Sequence, residues 1–357
     1  MNKKICLITF SNNADHQNTI YSMFRALYPN NDVYTIGISN PKSNIAPHTK
    51  NNFYINCPKR PGFEKDSFNL VALKKIKKFI DDNKIDLLYF ESQHLWNMFV
   101  MILCKRIKKV VVVHDVIPHD ENKMVFLSNF ITCHQADHII LRNSKYKERL
   151  AKDYRLNIDK ITSFELWRDY PAPKELTYSK TFLCFGRIRN YKGFDLLAKI
   201  IEKTPSIKYR IVGEADEESK YLIDYIKDFK NVSLCNREVS DTEMIEEFRK
   251  ADWVILPYRS ATQSGVIIDA YKFARPVISF NVGAIKEQIE DGKTGFLVEP
   301  ENIDNFAIKI KEVNKYSEEK LKNFSNSAYN YGYNNYSADM AAEDFHKLLM
   351  EIIEKSV

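Results

Sequence analysis

Two α/β domains, each built on a parallel sheet, are predicted by three observations: a length of 357 residues, short β-branched runs alternating with amphipathic helical stretches, and a Pro-rich break near the middle. A single hydrophobic core stops growing beyond about 250–300 residues, so a chain of this length is expected to divide. In the first half KICLITF, DVYTIGI, IDLLYF, KVVVVHD and DHIILRNS read as buried strands. Helical patterns lie between them: across residues 68–80 (FNLVALKKIKKFI), Leu70, Leu73, Ile76, Phe79 and Ile80 are predicted to share one face. The break falls at Pro171-Ala172-Pro173, where each proline restricts itself and its predecessor, as suits a linker. FLCFGRI, KYRIVGE, VSLCN, WVILPY, PVISF and GFLVEP then repeat the rhythm. Alternation of this length implies right-handed βαβ units, hence two Rossmann-like domains over 1–170 and 171–337. The final stretch, 338–357, is read as a helix with Met340, Phe345, Leu348, Leu349 and Ile352 as its apolar stripe.

Composition narrows the class. At 44% hydrophobic and 28% charged the chain is neither disordered nor collagen-like. Residues 98–104 (MFVMILC) are far too few to span a bilayer, and residues 5–10 too few for a secretory signal, so a cytoplasmic protein is expected. The six cysteines contain no CxxC pair, and Cys6, Cys104 and Cys184 read as core residues in a reducing compartment. A net charge of +6 and a pI near 8.7 fall short of a nucleic-acid domain, so no nucleic-acid partner is expected. Two basic clusters stand out, Lys74-Lys75-Ile76-Lys77-Lys78 and Lys105-Arg106-Ile107-Lys108-Lys109. They are either solvated helix faces or a contact with an anionic membrane, peripheral at its inner face.

Parallel sheets bind ligands at the carboxyl ends of their strands, so the strand-to-helix junctions carry the functional argument. The first reads Gly186-Arg187-Ile188-Arg189-Asn190-Tyr191-Lys192-Gly193. Gly186 lets the backbone turn, and Arg187 and Lys192 supply two cations, either as ordinary surface charges or as a clamp for a group that gains negative charge during reaction. The second junction, 258–271, enters a helix at Ser264-Gly265, where free N–H groups and the helix dipole suit a phosphate. Asp269 lies one turn into that helix, inside an apolar VIIDAY run, and a carboxylate there needs a partner: Lys272, Arg275 or the hydroxyls of a ligand.

These motifs carry a resemblance. GR-x4-KG-x-D-x-L, SG-x3-D-A after VILPY, and DGKTGFLVEP at 291–300 resemble, in order and spacing, the retaining GT-B glycosyltransferases of the GT4 (glycosyltransferase group 1) family. Over the first half the similarity rests on VVVVHD at 110–115 and ADHII at 136–140. The resemblance implies a GT-B fold, two Rossmann-like domains with parallel sheets facing a central cleft, and a final helix that packs back on the first domain. It implies that Arg187 and Lys192 hold a donor diphosphate at the Gly186 turn, and that Ser264, Gly265 and Val266 offer backbone N–H groups to phosphate and sugar. Asp269 takes the second place of the family's paired acids, the ribose ligand; the first falls on Ala261, which has no carboxylate, leaving Thr262 and Gln263 as substitutes. The base would be read around Arg237 and Val239, and His114 matches the family's cleft histidine as a catalytic group. The family's Gly-rich loop after the first strand is absent, so Asn12, Asn13, His16 and His119 are the acceptor-side candidates.

The implied donor is a nucleotide-diphosphate sugar, with a UDP-sugar favoured, and the acceptor a glycan or lipid-linked glycan for a cell-surface polysaccharide. No cofactor is expected. His134 and His138 have the i, i+4 spacing of a zinc pair but lack the metalloprotease Glu, and no metal is expected there. No Asp-x-Asp and no GxGxxG after the first strand occur, which argues against metal-dependent transferases of the other fold and against nicotinamide dehydrogenases. The rival readings are a nucleotide-sugar epimerase of the same architecture and a sugar-nucleotide-binding subunit without catalysis.

Overall fold

The computed structural model describes residues 3–58, 64–114, 116, 123–173 and 176–355. Its internal contacts divide the chain into Met1–Asp169 with Tyr336–Val357, and Tyr170–Asn335.

The first unit is a seven-stranded parallel sheet of β1 (Ile5–Ile8), β2 (Val33–Ile38), β3 (Asn52–Ile55), β4 (Leu87–Phe90), β5 (Lys108–Val113), β6 (His138–Leu141) and β7 (Ile161–Ser163), in the order β3-β2-β1-β4-β5-β6-β7. The two middle strands β1 (ICLI) and β4 (LLYF) are buried and apolar or aromatic at every position because helices cover both faces. On one face Ile8, Leu88, Phe90 and Val111 meet Leu73, Ile76, Trp96 and Val100 from helices Leu70–Asp82 and Leu95–Leu103. On the other, Leu7, Leu87, Tyr89 and Val112 meet Ile20 and Phe24 of helix Ala14–Leu27 and Phe345 and Leu349 of helix Ala338–Glu354. That last helix starts at a Ser337 cap, whose hydroxyl accepts from the Met340 N–H, and is seated by Ala338 and Ala342. Two predicted stripe members differ: Met340 is 52% and Leu70 68% exposed. Leu70 opens its helix beside the Asn69 cap, ahead of the first buried positions Ala72 and Leu73, and stays exposed.

The second unit is a six-stranded parallel sheet of β8 (Thr181–Phe185), β9 (Lys208–Val212), β10 (Val232–Cys235), β11 (Trp253–Leu256), β12 (Val277–Phe280) and β13 (Gly295–Val298), in the order β10-β9-β8-β11-β12-β13. The chain order reverses between β8 and β11, which places a switch point at their carboxyl ends. The tyrosine-rich segment lies in helix Glu318–Tyr336, where Tyr329 and Tyr333 pack on Tyr170 and Tyr331 on Tyr271. Gly332 permits that approach, since a Cβ there would lie 2.6 Å from both the Tyr170 hydroxyl and Tyr271 Cβ. The Tyr170 hydroxyl donates to the Ile268 carbonyl (2.9 Å), tying the start of this unit to helix Gly265–Lys272. Among the described residues no helix is long and apolar enough to cross a membrane.

Candidate functional site

At the β8 end, Gly186 turns with φ +105°, and a Cβ built on it would lie 2.6 Å from Lys192 Nζ and 3.7 Å from Val266 Cγ2. The missing side chain is what admits the ammonium and the start of helix Gly265–Lys272 to the same spot. Lys192 is 8% exposed, with Nζ 5.4 Å from the centre of the Tyr258 ring, a favourable cation–π geometry. Its approach is fixed by Gly193, at φ +67°, where a Cβ would fall 1.9 Å from the Pro257 carbonyl. Arg187 is exposed and makes no hydrogen bond or ion pair among the described residues.

Arg259, which the motif reading passed over, ties the two loops together. Its N–H donates to the Tyr191 carbonyl (2.8 Å), and its guanidinium grips both Asp195 oxygens at 2.6 Å and reaches Glu301 at 3.2 Å. The Arg259 hydrogen bonds hold the Asp195 carboxyl below its ordinary range.

The β11 loop differs from expectation at one amide. The Ser264 N–H donates to Gln288 Oε1 (2.8 Å), and Gln288 Nε2 returns a bond to the Ser264 carbonyl (3.2 Å), so Ser264 has no free N–H to offer a phosphate. Gly265 and Val266 keep theirs, because a first helical turn has no carbonyl four residues back to accept them. Asp269 is buried one turn on, at i+4 from Gly265 and i+3 from Val266, and so on their side of the helix. Thr262 is buried and Gln263 half-buried. Ala261 is 5% exposed, and its carbonyl accepts from the Ala284 N–H (3.1 Å) and fills the place of a Cβ on Gly283 (2.0 Å; φ +55°). Arg237 and Val239 follow β10, two strands from β8; the Arg237 guanidinium is exposed and paired with Glu243 (2.5 Å). The structure therefore gathers Gly186, Lys192 and Val266 at one point and leaves the Arg237 side chain engaged elsewhere.

In the first unit a second cluster stands at the carboxyl ends of β1, β4, β5 and β6. Glu91, fully buried after β4, accepts from Arg142 (2.5 and 2.6 Å) and from the Tyr89 hydroxyl (2.5 Å). Burial alone would raise its carboxyl; the Arg142 guanidinium outweighs that and holds it at about 2. His114 Nε2 faces the Glu91 carbonyl at 2.7 Å and the Glu91 carboxylate at 3.1 Å. Both are acceptors, so Nε2 carries a proton. The His16 ring lies 4.9 Å from that of His114, with Nδ1 3.0 Å from the Ser11 hydroxyl; burial and the His114 neighbour lower it to about 4, so it is neutral. Asn13 caps helix Ala14–Leu27 by accepting from the Asp15 N–H, and Asn12 is half-buried beside it. His119 and Asp115 lie outside the described residues. His134 and His138 are separately engaged, with the Phe130 carbonyl (2.7 Å) and the Thr162 hydroxyl (2.8 Å).

Residues 179–315 match the family model described as Glycosyl transferases group 1. An uncharacterized glycosyltransferase of Haemophilus influenzae is 24% identical over 282 residues, covering 76% of this chain and 78% of that protein. Among solved structures, a glycosyltransferase from Rickettsia africae has a TM-score of 0.72 at 17% identity over 100% of both chains. Anabaena HepE in complex with UDP-glucose has a TM-score of 0.71 at 14% identity, covering 98% of this chain and 99% of that one. The fold is GT-B, and the stretch that matches the group 1 glycosyltransferase model lies wholly within the second unit.

Proposed function

We propose that this enzyme moves a hexosyl group, with retention of configuration and without a metal ion, from a nucleotide-diphosphate sugar to a glycan or lipid-linked glycan acceptor. A UDP-sugar is the favoured donor, since HepE, a structural neighbour, was solved with UDP-glucose. The observation that carries the reading is the convergence of Lys192 Nζ, the Gly186 turn and the open amides of Gly265 and Val266. A nucleoside diphosphate leaves with about two to three negative charges, and preorganised cations and N–H groups stabilise that charge as it develops. Arg187 and Lys192 thereby supply neutralisation that a metal ion would otherwise provide. Asp269 is assigned to the ribose hydroxyls, the backbone at Arg237 and Val239 to the base, and Thr262 and Gln263 to the sugar in place of the acid absent at Ala261.

The acceptor hydroxyl attacks the anomeric carbon from the side of the leaving group. The acceptor C–O bond forms, the bond from the anomeric carbon to the diphosphate oxygen breaks, and the acceptor proton passes to that departing oxygen. His114, with Nε2 held by Glu91, is assigned to a substrate hydroxyl. The proposed setting is the cytoplasmic face of a membrane, in cell-surface polysaccharide assembly.

The test is a donor panel of UDP-, GDP- and ADP-sugars with and without EDTA, followed by NMR of the released or transferred sugar. Slow EDTA-insensitive hydrolysis of a UDP-sugar, with the α-anomer kept and a 2′-deoxy donor bound more weakly, is expected. An inverted anomer, or turnover only with divalent metal, would overturn the mechanism.

A further inference from the structure

We infer that three neighbouring helices of the first unit form a surface that docks on an anionic lipid bilayer. Helices Leu70–Asp82, Leu95–Leu103 and Lys123–Gln135 lie side by side over one face of the sheet. The middle one, LWNMFVMIL, is apolar nearly all round. Trp96, Val100 and Met101 are buried against the sheet, yet its outer side carries Leu95, Met98 and Phe99, partly exposed, and Ile102 and Leu103, 48% and 44% exposed. On one flank Phe68, Leu70 and Val71 are each more than 60% exposed, with the Phe68 ring 6.0 Å from that of Phe99. On the other flank stand Phe126 and Leu127, also exposed. Single exposed apolar residues need no explanation, but a run of them across three packed helices marks an interaction surface.

Charge selects the occupant. Of the eight cations in the two basic clusters, Lys77 and Lys78 pair with Asp81 and Asp82, and Lys108 and Lys109 with Asp137. Lys74, Lys75, Lys105 and Arg106 are exposed and make no ion pair among the described residues. Lys74 and Lys75 continue the outer stripe one turn beyond Val71, and Lys105 and Arg106 follow Leu103 after the C-cap residue Cys104, so the open cations border the apolar patch. A second copy of this face would oppose like charges. A bilayer with anionic headgroups neutralises them while its acyl boundary takes the apolar side chains. The inference draws on the proposed lipid-linked acceptor for its purpose, but binding to vesicles requires no turnover, so it can fail while the transferase reading stands.

The full chain is sedimented with vesicles of phosphatidylcholine alone or mixed with phosphatidylglycerol, at low and high salt, beside sedimentation velocity of the protein alone. Retention by anionic vesicles at low salt, and far weaker retention by neutral ones, is expected. Each surface cation contributes about fivefold near an anionic membrane, so Lys74→Gln with Lys75→Gln should weaken binding roughly 25-fold at low salt. Ile102→Ser with Leu103→Ser should also release the protein, with melting temperature and donor hydrolysis unchanged because both side chains are already exposed. Failure of the parent protein to bind anionic vesicles, or undiminished binding by both double variants, overturns the proposal. So does a dimer that the Ile102→Ser, Leu103→Ser variant dissolves, since the face would then be a self-interface.

Discussion

Lys192 and Arg187 present the same charge in different settings, and their substitutions should separate accordingly. Lys192 is packed against Gly186 and over Tyr258, whereas Arg187 is exposed. Either change to Ala is expected to lower kcat by about 10²–10³-fold at saturating donor, the scale for losing one transition-state donor. Lys192→Ala should also lower the melting temperature, because it empties a packed position, and Arg187→Ala should not. Near-normal turnover in both variants would place the diphosphate elsewhere. In the first unit the decisive side chain is Glu91. Its pKa is about 2 in the folded protein against an ordinary 4.5, so its stabilisation is complete above pH 4.5 and disappears as pH falls toward 2. Glu91→Gln leaves Arg142 buried without its counter-charge, a loss of about 3–5 kcal/mol. Melting curves should show the variant less stable at pH 7 and less sensitive to pH between 4.5 and 2. An unchanged melting temperature would deny the pair its structural weight.

Among the elements, the short link from β8 to helix Phe194–Glu202 bears most directly on the site. Gly193→Ala would set a Cβ 1.9 Å from the Pro257 carbonyl at φ +67°, so the loops after β8 and β11 must part. A loss of about 1–3 kcal/mol in stability and weaker UDP binding are expected, measured by melting and calorimetry. Full UDP affinity in a destabilised Gly193→Ala protein would uncouple the turn from the donor. This junction was legible in the sequence because its chemistry is local: Gly186, Lys192 and Gly193 lie within eight residues. The central strands were legible for a similar reason, since strands covered on both faces are unbroken β-branched and apolar runs. The edge strands β3 and β7 carried no such signal: NFYI and ITS are short and only partly buried. The Glu91–Arg142 pair was equally hidden, because its members stand 51 residues apart and only the β4-β5-β6 order brings them together. Gln288 closing on Ser264 is another long-range contact, 24 residues across, that no local motif announces.

For the whole molecule, the distribution of histidines predicts that acid acts on one unit first. All eight lie in the unit formed by Met1–Asp169 and Tyr336–Val357. Burial lowers His94 and His138 to about 4, and His16 falls to the same value through burial and its His114 neighbour, against an ordinary 6.5. Between pH 6.5 and 4 the unfolded chain therefore binds protons that the folded unit excludes, so stability is complete above 6.5 and declines as pH falls. For His94, which is buried, the loss at pH 5 is about 2 kcal/mol, and the other two add to it. The unit Tyr170–Asn335 has no histidine to titrate in this window. Calorimetric melting at pH 7 and pH 5 should therefore show one transition shifting down with acid while a second holds its place. Adding UDP should raise the second, since a ligand that binds only the folded state stabilises the unit that holds it. If the acid-sensitive transition is the one that UDP raises, the donor belongs to the histidine-bearing unit, and the assignment of diphosphate to Lys192 and the Gly186 turn is wrong.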